Sequence, residues 1–154
     1  MLFRSPPGGP RQFQQPQGVK FVEDPDRERT FVLIGSGNTN YRILYQDDRE
    51  FVGQLAGDDD NPLYYGRAVA EWEDDTLVVE VRGFIEDFWF TNGGLPHTDQ
   101  LQLTERFSRP DFDTLVYEVT VDDPGAYTRP WSASWTLRWV EGALPYHYCQ
   151  ENRP

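Results

Sequence analysis

The chain has one cysteine, Cys149, so no internal disulfide can staple it. Lysine is equally scarce. Lys20 stands alone, and 14 basic residues face 26 acidic ones for a net charge of −12. That imbalance argues against nucleic acid and against an anionic membrane surface, because both demand clustered positive charge. No stretch of about 18 apolar residues exists, so neither a spanning helix nor membrane insertion is expected. Met1-Leu2-Phe3-Arg4-Ser5-Pro6-Pro7 lacks the apolar centre of a signal peptide. The protein is therefore expected to be either cytoplasmic in synthesis or a mature, trimmed form. Histidine is limited to His97 and His147, too few for an ordinary three-histidine zinc site, and no metal or cofactor is expected. A Gly-x-Ser-x-Gly elbow is missing. Gly35-Ser36-Gly37 opens no helix, which removes the dinucleotide-binding reading.

Aromatic residues are abundant. They make up 15 % of the chain, well above what disordered acidic segments carry, so most of it should fold. A length of 154 residues fits one domain with its own core. Residues 1–17 are rich in Pro, Gly and Gln, have no periodicity, and read as an N-terminal arm, extended or laid over the body. Residues 18–154 form the domain. Alternation predicts strands at 19–23, 30–34, 41–46, 67–72, 76–82, 100–108, 114–121 and 131–140, with a further short one at 146–149. Turn chemistry separates them. Glu73-Asp74-Asp75 is a tight hairpin without the favoured glycine, and Arg109-Pro110-Asp111-Phe112-Asp113 is another turn. The pattern predicts an all-β fold of about eight to nine strands. A single antiparallel barrel of the lipocalin or calycin kind is favoured, because closure removes exposed edges.

The run Trp131-Ser132-Ala133-Ser134-Trp135-Thr136-Leu137-Arg138-Trp139 places three indoles and a leucine on one face of a strand. Such a face is either an aromatic core or a cavity wall. Leu101, Leu103, Glu105 and Phe107 share one face of their strand, which carries Glu105 inward. Gln102, Thr104, Arg106 and Ser108 take the other face. A buried carboxylate raises its pKa or finds a partner. It is either a general acid or base or half of an ion pair. Tyr117 lies on the inward face of the next strand, where its hydroxyl needs a partner. Glu80 and Glu118 read as solvated outer charges. His97, in a loop just before the Glu105 strand, either shuttles a proton or bonds the backbone. Phe88-Trp89-Phe90 is either a lid or a loop anchor. Asp122, before a Pro-Gly turn, reads as a backbone cap. Asp58-Asp59-Asp60-Asn61 reads as a solvated acidic loop, and Cys149 as a buried bystander.

Several segments together resemble a family of uncharacterised bacterial proteins that are mostly exported. They are Gly66-Arg67-Ala68-Val69-Ala70-Glu71-Trp72-Glu73-Asp74-Asp75-Thr76-Leu77-Val78-Val79-Glu80, Gly83-Phe84-Ile85-Glu86-Asp87-Phe88-Trp89, Pro96-His97-Thr98, Glu105-Arg106-Phe107 and Val119-Thr120-Val121-Asp122-Asp123-Pro124-Gly125-Ala126-Tyr127-Thr128-Arg129-Pro130-Trp131, closing with Tyr148-Cys149-Gln150. The resemblance implies a periplasmic or secreted β protein and attaches no activity to it. Members carry a cysteine where this chain has Ser5, asparagine where it has Ile85, and glycine where it has Asp74.

Two functions follow from these residues. One is a cofactor-independent acid/base enzyme of the isomerase, lyase or cyclase type. In it His97 or Glu105 moves a proton, Tyr117 or Arg106 stabilises negative charge, and Trp89, Trp131, Trp135, Trp139 and Phe107 hold an apolar or aromatic substrate. The other is a non-catalytic barrel that binds an apolar small molecule, with Glu105 paired to an arginine. A domain whose tryptophans form a solid core is the third option.

Overall fold

The computed structural model describes residues 8–35, 40–47, 63–86 and 94–144. Its body is a single eight-stranded sheet in chain order. The strands are β1 (Val19–Asp24), β2 (Arg29–Ile34), β3 (Asn40–Tyr45), β4 (Arg67–Glu73), β5 (Thr76–Arg82), β6 (Gln102–Asp111), β7 (Thr114–Asp122) and β8 (Trp131–Arg138). Their alternation has the expected cause. In β7, Tyr117, Val119 and Val121 are buried while Glu118, Thr120 and Asp122 are exposed. The inner face gathers Val32, Leu44, Val79, Val81, Leu103, Phe107, Tyr117 and Val119 into one core.

The sheet curls into a half-barrel and does not close. The order runs from β1 to β8, and among the described residues these two outer strands do not pair. This corrects the closed barrel expected from the strand pattern. An eight-stranded barrel encloses barely enough room for its own side chains. Here the interior must also admit backbone. A 3-10 turn, η1 (Gly9–Gln14), enters the concave face with Gln12 and Phe13 only 0 % and 2 % exposed. The indole of Trp135 on β8 donates to the Phe13 carbonyl at 3.3 Å, so the turn occupies space that closure would require. The described part of the arm is thus packed against the body, with Gln12 and Phe13 inside it.

A second correction concerns direction. β3 and β4 pair in parallel, through Leu44↔Ala68 and Tyr45↔Val69 only. The connection over residues 46–66 is long enough for the crossover that parallel neighbours need. All other neighbours are antiparallel. Among the described residues no helix is long and apolar enough to cross a membrane. The strand expected at 146–149, with His147 and Cys149, lies outside the described residues, as do Trp89 and the acidic loop at 58–61.

Candidate functional site

Glu105 sits midway along β6, opposite Val79 of β5 and Val119 of β7. Its inward face follows from the pleat it shares with Leu103 and Phe107, and it is 0 % exposed. Two partners stabilise it there. Arg42 of β3 pairs its Nη2 with Glu105 Oε2, and Tyr117 donates its hydroxyl to Oε1 at 2.6 Å. The Arg42 side chain is 2 % exposed, so the pair is shielded from water on both sides. Burial first, and then the adjacent Glu105 charge, push the Tyr117 phenol well above its ordinary value. With each oxygen engaged, Glu105 ties three strands together. Truncating one member would leave the others uncompensated.

An aromatic layer closes over this trio. Phe13 packs on Tyr117 at 4.4 Å and on Phe107 at 5.2 Å between ring centres, while Trp135 meets Tyr117 at 4.8 Å. The Arg42 guanidinium lies 5.5 Å from the Phe13 ring centre, within cation–π range. Thus the chain's own Phe13 fills the aromatic interior.

The open space lies beside it, in a cleft of about 810 Å³ between the β1 edge and the β7–β8 edge. Its floor is Phe107 with Leu77, and its walls include Phe21, Leu115 and Leu137. Trp72, Phe112 and Trp139 stand at its mouth, exposed by 58 %, 71 % and 55 %. Phe112 and Trp139 lean on each other with ring centres 5.7 Å apart. Lone exposed aromatics are ordinary; here three line one opening, among charged residues that include Asp75 and Arg109.

The remaining candidates are scattered. Arg106 takes the opposite face from Glu105 and binds Glu73 at 2.7 Å near solvent, so it shares no site with the carboxylate. Strand alternation already placed it outward, and the cation facing Glu105 is Arg42. Trp131 packs edge-on against Tyr127, at the other end of β8 from Trp139. His97 precedes β6, whereas the cleft is formed from the far end of that strand. Its Nδ1 lies 3.5 Å from the Thr98 carbonyl. The loop that carries it is held by Asp123, a carboxylate 1 % exposed that accepts from Thr98 N at 2.7 Å, Thr98 Oγ1 at 2.6 Å and Gly125 N at 3.1 Å. Tyr127 adds a bond from its hydroxyl to the Pro96 carbonyl at 2.7 Å. Burial, then the Asp123 charge, raise its phenol above the ordinary value. The capping expected of Asp122 belongs to Asp123.

Sequence reasoning overlooked Arg42, Phe13 and Tyr65. One signal for Arg42 was present: strand alternation puts it on the Leu44 face, and a cation on an apolar face needs an anion. Among the described residues no group of three His, Cys, Asp or Glu side chains is placed to hold a metal ion. No protein-family model matches the chain, and neither a curated protein nor a solved structure does.

Proposed function

We propose that the protein binds an apolar small molecule in the cleft between β1 and β8. The observation that carries this reading is the cleft's size and chemistry together. Its volume of about 810 Å³ lies in the range of small-molecule sites, and its floor is apolar, with aliphatic and aromatic walls broken by charged residues such as Lys20, Asp75 and Arg138. The exposed mouth aromatics supply a surface that gains from being covered. Native mass spectrometry against a panel of apolar and aromatic metabolites tests the proposal. A retained ligand, lost in a Phe112→Ser/Trp139→Ser variant that still folds, is the expected result. Absence of binding across the panel would favour a domain whose aromatics are only core.

The acid/base enzyme is the second reading, favoured by the short Tyr117–Glu105 contact. It ranks behind the binder because both groups are sealed by Phe13 and each Glu105 oxygen is already engaged. Turnover of a substrate that survives Glu105→Gln would remove it. The resemblance to exported proteins makes the periplasm or the exterior our proposed location, which cell fractionation checks.

A further inference from the structure

Buried polar atoms almost always find partners, so those that do not require an explanation, of which a bound acceptor is one. Beneath Phe13, Arg42 keeps Nε and Nη1 buried and without a hydrogen bond among the described residues. The Tyr65 hydroxyl is in the same position. Arg42 lies on β3, which pairs with β4 through Leu44↔Ala68, and Tyr65 stands two residues before β4 begins, packed against the same core as Leu44 and Ala68. Tyr65 also feels the Arg42 charge, which opposes the rise that burial imposes on its phenol.

We propose that Arg42 Nε, Arg42 Nη1 and the Tyr65 hydroxyl form a buried binding point for the carbonyl oxygen of an uncharged aromatic ligand whose ring takes the place of Phe13. The donors are several and the need is for an acceptor. Charge decides which acceptor. Glu105 already neutralises Arg42, so a carboxylate would add an uncompensated negative charge to the interior, whereas a ketone, ester or amide oxygen would not. The ring would inherit the contacts Phe13 makes with Phe107 and Tyr117. Phe107 is also the cleft floor, so one ring separates the cleft from the site. The inference rests on the cleft as the ligand's entrance, and it makes η1 an internal competitor for the site.

Acetophenone, ethylbenzene and benzoate are the probes, with the Phe13→Ala protein as receptor. Acetophenone is expected to bind at least about ten-fold tighter than ethylbenzene, the worth of one hydrogen bond from a charged donor. Its carbonyl infrared band should move to lower frequency, and benzoate should bind worst. Adding Tyr65→Phe should reduce acetophenone binding several-fold and leave ethylbenzene unchanged. Equal binding of acetophenone and ethylbenzene, an unshifted carbonyl band, or no binding of either overturns the proposal. The cleft reading would survive any of these if the full chain still binds a ligand at Trp139. Should Phe13→Ala fail to fold, Tyr65→Phe in the full chain decides. A thermal midpoint that holds or rises, with weaker acetophenone binding, supports the site. A midpoint that falls makes the hydroxyl structural and ends the proposal.

Discussion

The Tyr117 hydroxyl reaches Glu105 diagonally across the β6–β7 pair, at 2.6 Å, although the residue directly opposite Tyr117 is Phe107. This diagonal lets one face carry a ring stack and a buried carboxylate side by side. The energetic consequence is asymmetric. Glu105→Gln leaves the Arg42 charge unpaired in the interior and is predicted to cost about 3–5 kcal/mol. Tyr117→Phe removes one donor and should cost about 1–3 kcal/mol. Replacing both Arg42 and Glu105, as Arg42→Met/Glu105→Leu, should recover most of the loss. Urea unfolding of Arg42→Met, Glu105→Leu and the double gives the coupling directly.

Alkali should unfold the protein through Tyr117. Its folded pKa is raised, and an unfolded tyrosine ionises near about 10. Below that pH both states keep the proton and the stabilising contribution is complete. Above it the unfolded chain releases a proton that the folded chain retains, so stability falls as pH rises. The slope is about 1.4 kcal/mol per pH unit from this group. Tyrosinate absorbance followed alongside circular dichroism checks it. The Tyr117 fraction should appear with loss of structure and not before.

The β4–β5 hairpin turns at Asp74, whose φ of 53° lies in the left-handed region. Aspartate tolerates that region better than most residues but less well than glycine. Asp74→Gly is therefore expected to raise stability by up to about 1 kcal/mol, and Asp74→Val to lower it. Thermal midpoints of the two variants decide.

Gly125 admits no side chain. A Cβ there would lie 2.5 Å from Thr98 Oγ1 and 2.8 Å from its Cγ2. Gly125→Ala should push the His97 loop away from its Asp123 clasp and cost about 1–3 kcal/mol. Asp123→Ala should release the same loop with little effect on the strands. Hydrogen exchange checks both, with protection lost at the Thr98 amide and kept along β6.

The strands were legible because each is a short alternating run bounded by turn residues. The 76–82 run and β5 (Thr76–Arg82) coincide, and the other described strands shift by only a few residues at their ends. Inward Glu105 was legible for the same reason. Its cation was not, since Arg42 reaches it from a strand brought near only by the β3–β4 crossover. The Gly9–Gln14 turn was hidden by composition. A Pro-, Gly- and Gln-rich stretch reads as surface, and nothing local reveals that Phe13 has a place waiting inside. Closure failed as an expectation because whether two outer strands meet depends on what stands between them, which no single strand encodes.

The narrow parallel seam divides the sheet into a three-strand ribbon and a five-strand meander, each antiparallel throughout. The seam itself rests on two residue pairs, against six or more along every other pair of neighbouring strands. Arg42 belongs to the ribbon and Glu105 to the meander, so their pair is a latch between the two parts of the sheet. It rejects misaligned dockings, because a slip of one residue on β3 would turn the guanidinium outward and leave the carboxylate alone in the core.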